Sequence, residues 1–357
     1  MSEADLPTPR LNPHLVGHDA AEAEILDAWQ TGRMHHAWLI TGKRGIGKAT
    51  LAYRIARFVL AGGGDGGLFG GPSTLALPES HPVFHRIAHG AHGDLRVIER
   101  QFDEKKKKLR GEIVVGDARD VGSFLSMTSA EGGWRVVIID AVDEMNRNAA
   151  NAVLKVLEEP PKRSLLLLLA HNPARLLPTI RSRCRRLALR PLADDTVATL
   201  LRRYRPELDA EDAQGLARLG EGSVGRALEL AGEGGLQHYH GLIGLLRGLP
   251  RLDVPDLHDF TDKAARSDDS FRTTSELLLW WLARTISAGG HGTAPTEVVP
   301  GENGLFRTVL AAAPLDRWVE VWEKISRLLE RADAVNLDKK HVLLNAFLAI
   351  ERTARAA

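Results

Sequence analysis

Residues 36–50, HAWLITGKRGIGKAT, decide the fold of this 357-residue chain. The apolar run 36–41 (HAWLIT) reads as a strand, and the stretch 51–60 carries Leu51, Ile55, Phe58 and Val59 at helical spacing. Between them, Gly42-Lys43-Arg44-Gly45-Ile46-Gly47-Lys48 fits G-x-x-x-x-G-K. Glycines at 42, 45 and 47 let backbone amides wrap phosphate oxygens. Lys48 neutralises the oxygens, and the amino end of the following helix adds its dipole. Strand, glycine loop and helix in that order predict a phosphate loop in a parallel α/β domain.

The loop departs from a working nucleotide site in two places. Ala49 stands where a Ser or Thr hydroxyl would hold magnesium, and Thr50 comes one residue late, about 100° further round the helix. The second nucleotide element is the β-branched run 134–139 (WRVVII), which ends at Asp140. An active site of this type places an Asp–Glu pair there, one for magnesium and one for the attacking water. Here Ala141 follows, and Asp143 and Glu144 lie beyond the strand end, where capping or surface charge is the expected role. Two defects fall on one function, so the expectation is a chain that does not hydrolyse ATP itself. Whether Lys48 and the amides still bind a nucleotide stays open.

Working outward, short apolar runs alternate with amphipathic stretches as far as about residue 190, which is how a parallel sheet covered by helices reads. Residues 95–98 are a short strand candidate. Asn146 is placed to cap a helix with Ala149, Ala150, Val153, Leu154 and Leu157 on its apolar face, stopped by Pro160 and Pro161. Five leucines at 165–169 read as a buried strand, and 185–189 as another. The glycine-rich stretch 62–72 reads as a mobile surface insertion, and KKKKLR at 105–110 as a solvated loop, with a DNA or partner contact as the minor reading. From residue 194 onward only helical periodicity is found, with a break near 232–235.

Composition narrows the function. The 47 basic and 46 acidic side chains leave a net charge of +1, so any DNA contact is local or shared with partners. The single cysteine, Cys184, excludes an internal disulfide and a four-cysteine zinc site. No signal pattern opens the chain and no apolar run reaches membrane-spanning length, which points to the cytoplasm.

Three further stretches carry a resemblance. They are NAVLKVLEEPP at 151–161, AHNP at 170–173 and LPTIRSRC at 177–184, and together they resemble the clamp-loader subunits of bacterial DNA polymerase III, in the AAA+ superfamily. The likeness runs motif by motif over roughly 13–231; beyond that only helical character and length agree. Ser182-Arg183-Cys184 is the hallmark. The ATPase type of subunit should have an intact G-K-[ST], an Asp–Glu pair and a four-cysteine zinc module, none of which is present, so the chain resembles the delta-prime type. Absence of the zinc module departs from many of that type as well.

The resemblance implies a RecA-like AAA+ domain at 1–190, a small helical lid at 191–235 and an all-α collar at 236–357. It implies that Arg183 is an arginine finger acting in trans on a neighbour's ATP, with Asn172 and Arg226 at the two sensor positions. It also implies partners: the ATPase (tau/gamma) subunits, which bind ATP and magnesium, the delta subunit, and the sliding clamp and primed DNA. No cofactor is required in this subunit itself. On residues alone, Arg183 could equally be a structural arginine beside Arg181, Arg185 and Arg186, and Asn172 and Arg226 inherited structural contacts. Two other functions stay open: an active clamp-loader ATPase using Lys48, Thr50 and Asp140–Glu144 in shifted geometry, and a free-standing P-loop kinase or NTPase. The latter leaves Ser-Arg-Cys and the helical tail unexplained. His81, His85, His89 and His92 read as a surface helix rather than a metal site, Trp280 and Trp281 as helical core and interface, and Cys184 as a packing residue.

Overall fold

The computed structural model describes residues 8–63, 71–104, 107–335 and 337–355. Most of the glycine-rich stretch 62–72, and Lys105 and Lys106, therefore lie outside the described residues. The chain divides into two compact units: one runs to Thr196 and takes in Gly222–Gly225, and the other holds Val197–Glu221 and everything from Arg226 onward.

The first unit is built on a five-stranded parallel sheet. Its strands are β1 (Ala37–Thr41), β2 (Leu95–Glu99), β5 (Arg135–Asp140), β6 (Ser164–Ala170) and β7 (Arg185–Ala188), in the spatial order β2-β5-β6-β1-β7. Every residue of β1 and β6 is buried. That burial on both faces is why these segments are unbroken apolar runs. Along β6 the side chains alternate. Leu165, Leu167 and Leu169 join Trp38, Ile40, Leu51, Ile55 and Phe58 in one core, against helices α1 (Asp19–Gln30) and α2 (Lys48–Leu60). Leu166 and Leu168 join Leu39, Val121, Val153 and Leu157 in the other, against α4 (Val115–Ser126) and α5 (Arg147–Glu158). Asn146 caps α5 by accepting from Ala149 N at 3.0 Å.

Two expectations are corrected here. The segment read as a solvated loop at 105–110 contains a strand: β4 (Lys108–Leu109) pairs antiparallel with β3 (Phe102–Asp103) in a small hairpin. The sequence signal was too short, since two residues per strand carry no period. The four clustered histidines do not share a surface helix either. Helix α3 (Pro82–Ala88) contains only His85; His81 caps it, His89 follows it, and His92 is buried beyond it. Val83, Phe84 and Ile87 are buried, so α3 is a packed amphipathic helix.

The second unit is helical, without a strand among its described residues. After the short α6 (Pro178–Arg181) of the first unit, the chain forms α7 (Asp194–Tyr204), α8 (Ala210–Gly220), α9 (Val224–Gly232), α10 (Gly235–Leu246), α11 (Val254–Ala264), α12 (Asp268–His291), α13 (Glu302–Ala312), α14 (Leu315–Val335) and α15 (Lys339–Arg355). Trp281 and Trp318 are fully buried, and Trp281 stacks on Phe306 with ring centroids 6.0 Å apart. Trp280 is half-buried beside Tyr239 and donates to Glu221 at 2.9 Å.

One buried charge ties the sheet to its surrounding loops. Asp94 accepts from Ser129 Oγ (2.9 Å), Ala130 N (3.0 Å) and Glu131 N (3.3 Å), and pairs with Arg135 at 3.3 Å. Burial alone would raise its pKa, but these hydrogen bonds and the guanidinium hold it below the ordinary carboxylate value. The stability it supplies is therefore present above about pH 4 and is lost as pH falls through the lower folded value. Asp94→Ala leaves Arg135 buried without its counter-charge and should lower unfolding stability by about 3–5 kcal/mol, read from urea titration at pH 7.

Candidate functional site

The phosphate loop lies where the chain leaves β1 for α2. β1 sits between β6 and β7, while the chain itself runs from β1 to the far edge strand β2. Ligand sites in open parallel sheets form at such a change of direction, at the carboxyl ends of the strands. Gly42, Gly45 and Gly47 have φ of 151°, 76° and 109°, a region disfavoured for other residues. A Cβ at Gly42 would also meet Ile46 Cδ1 at 2.4 Å and Leu189 O at 3.0 Å.

Every carbonyl from Gly42 to Ile46 is taken. Lys48 Nζ donates to Gly42 O (2.8 Å) and Lys43 O (2.7 Å). Ser223 Oγ donates to Arg44 O (2.7 Å), Gly225 N to Gly45 O (2.9 Å) and His18 Nε2 to Ile46 O (2.7 Å). In a trans peptide the N–H points opposite to the C=O, so fixing the carbonyls also fixes the direction of the amides. The loop is thus rigidly built, and three of its supports, His18, Ser223 and Gly225, carried no signal of that role in the sequence. GSVG at 222–225 is a helix-start pattern, and its approach to the loop is a tertiary contact.

Lys48 is turned onto its own loop and is 4% exposed. Burial pulls its pKa down to about 8, and the charges of Asp140 and Asp143 oppose that shift. Asp140, at the end of β5, has its pKa raised, first by burial and then by Glu99 and Glu144, against Lys48 and Arg44. Thr50 is the third residue of α2, and Ala49 packs partly against the core. Asp143, in the short helix Val142–Glu144, accepts from Asn172 N at 2.7 Å and from His171 N at 3.1 and 3.2 Å. Glu144 pairs with Arg100 at 2.7 Å. Both carboxylates are spent on holding loops together. His171 is kept neutral at pH 7, its pKa lowered to about 4 by burial and then by the charge of Lys48.

Asn172 stands at the carboxyl end of β6, where its side chain accepts from Ala174 N at 3.1 Å and caps the turn Pro173–Arg175. Arg226 belongs to the second unit and pairs there with Glu276 and Glu229. Cys184 packs against the core, and burial raises its thiol pKa to about 12, which removes it as a nucleophile.

Arg183 lies at the other edge of the sheet. β7 runs parallel to β1, with Arg185 opposite Trp38 and Ala188 opposite Thr41. Arg183 therefore precedes the amino end of β7, whereas the loop follows the carboxyl end of β1. The strand between them spans about 16 Å. Its guanidinium is half-exposed, bonded to Thr179 O (3.1 Å) and Glu158 (3.0 Å), the last residue of α5. It cannot serve the phosphate loop of its own chain.

The sheet order and the glycine loop define a P-loop domain on a parallel α/β sheet. Residues 17–193 match the family model for "DNA polymerase III, delta subunit". The delta' subunit of DNA polymerase III from Pseudomonas aeruginosa is 38% identical over 201 residues, 56% of this chain and 56% of that one. The Escherichia coli delta' subunit is 32% identical over 210 residues, 58% of each chain, and its tau subunit 30% identical over 226 residues, 62% of this chain and 32% of tau. Residues 17–193 of this chain are thus similar to that family and to delta' subunits, and the matches span little more than half the length of those delta' relatives.

Two outcomes follow from the loop. A Cβ at Gly225 would meet Gly45 Cα at 2.7 Å, so Gly225→Ala should displace the loop and cost about 1–3 kcal/mol in denaturant unfolding. Because the folded pKa of Lys48 is lowered, burying its charge opposes folding at neutral pH, and that penalty fades as pH rises through about 8. Lys48→Met should gain stability relative to the parent at pH 7, and that advantage should shrink as pH rises from about 8 towards the ordinary lysine value, measured by thermal melts at pH 7 and 9.5.

Proposed function

We propose that this chain is the delta-prime subunit of the DNA polymerase III clamp loader. It supports ATP-dependent loading of the sliding clamp onto primed DNA, working in the cytoplasm beside ATPase subunits of the tau/gamma type and a delta subunit. The observation that carries the reading is the placement of Arg183 at the sheet edge opposite its own phosphate loop. An arginine there has phosphate chemistry to do only on another subunit. Delivered across an interface, its fork of donors stabilises charge on the γ-phosphate oxygens as they leave. Such a finger is worth on the order of 10³–10⁵ in rate.

The chain's own loop does not hydrolyse ATP on this reading; ATP and magnesium belong to the partner subunits. Ala49 and Ala141 supply neither the hydroxyl nor the second carboxylate. Asp143 and Glu144, the nearest replacements, are committed to His171, Asn172 and Arg100. Residues 191–235 serve as a lid and 236–357 as the collar through which related subunits assemble. Among the described residues no helix is long and apolar enough to cross a membrane.

The test is DNA- and clamp-stimulated ATPase in a complex reconstituted from this chain with tau/gamma and delta subunits. Arg183→Ala should cut the rate at least tenfold while the complex still assembles on a sizing column, and Lys48→Ala should change it little. If Lys48→Ala is the damaging change, the chain is itself a working ATPase and the proposal fails.

A further inference from the structure

The β3–β4 hairpin exposes an apolar cross-strand pair beside basic residues. Phe102 and Leu109 are cross-strand partners, and they are 58% and 51% exposed. Directly opposed apolar side chains on a two-stranded ribbon usually turn towards a core. Here they stand in solvent. In sequence, Glu104 and the basic tract 105–108 lie between them, followed by Arg110. Lys107 and Arg110 are exposed, and neither forms an ion pair among the described residues.

The hairpin is firmly seated at its base. Arg110 N donates to Gln101 O at 2.9 Å, closing the ribbon beyond the Phe102–Leu109 pair. Arg100 pairs with Glu144 at 2.7 Å, and Ile113 bridges Met145, with Ile113 N donating to Glu144 O (2.8 Å) and Asn146 N to Ile113 O (3.1 Å). An exposed aromatic is thus held on a fixed ribbon at the sheet edge that carries the phosphate loop.

The geometry points to this hairpin as a DNA-contacting element: Lys107 and Arg110 on phosphates, with Phe102 stacked on an unpaired base. Charge complementarity selects the occupant. Two exposed cations, Lys107 and Arg110, suit a polyanion, and an exposed aromatic beside cations is the pairing that single-stranded nucleic acid needs. Leu109 stands opposite Phe102 on the paired strand and is exposed with it. The near-neutral net charge fits a small local footprint, which adds to contacts made by other subunits. This inference rests on the clamp-loader reading only for the source of the DNA.

The experiment uses the full chain alone, with a fluorescently labelled single-stranded oligonucleotide and a blunt duplex of the same length, by anisotropy from 25 to 200 mM salt. All substituted residues are exposed, and matching thermal melts confirm that the variants fold. Phe102→Ala should weaken single-strand binding about tenfold, leave duplex binding nearly unchanged and keep the salt slope. Lys107→Glu with Arg110→Glu should weaken both and reduce the slope of log K against log salt by about one to two. Parent-like binding in both variants, or no binding by the parent at 25 mM salt, overturns the inference. So does loss of assembly with the partner subunits while DNA binding is retained, which would make the hairpin a protein-docking surface. None of these outcomes touches the ATPase test of Arg183, so the two proposals fail separately.

Discussion

A strand buried on both faces must be paired along both edges, because its backbone donors and acceptors have no water to turn to. β1 is such a strand, and the rest of the first unit follows from satisfying it. Its partners are β6 on one side and β7 on the other, so the order in which strands are laid down switches sides at β1. That switch opens the crevice in which the phosphate loop sits. The same parallel register carries the chain back to the amino edge before β7 begins, and this puts Arg183 a strand's length from the loop. One pairing constraint thus separates the glycine loop from Arg183.

The phosphate loop is followed by Ala49, and the strand end Asp140 by Ala141. The loop's carbonyls remain fully tied down by His18, Ser223, Gly225 and Lys48, so the scaffold is intact. The charges around it have been redirected. Lys48 is desolvated onto the loop's carbonyls, Asp140 is buried with a raised pKa, and Asp143 closes one loop against the next.

Much of the first unit was legible because its signals are local. The penta-leucine run, the β-branched run ending at Asp140 and the glycine loop each announce a buried strand or its exit within a few residues. Asn146 and the proline pair likewise bracket α5. The β3–β4 hairpin was missed because two-residue strands have no periodicity, and the histidine cluster was misread because i, i+4 spacing says nothing about where a helix stops. Within the site, Gly42 to Lys48 could be read directly. His18, Ser223 and Gly225 could not, since their partners are 28, 179 and 180 residues away.

The sequence by itself determined the class of domain, the loss of the hydroxyl at Ala49 and of the second carboxylate at Ala141, and the identity of the arginine in Ser182-Arg183-Cys184. These are matters of which side chain is present, and no folding can restore an absent oxygen. Only the tertiary structure decided which groups are committed elsewhere and which edge of the sheet each one faces. Those are questions of strand order and register, set by burying two faces of one sheet at once rather than by any short stretch of residues.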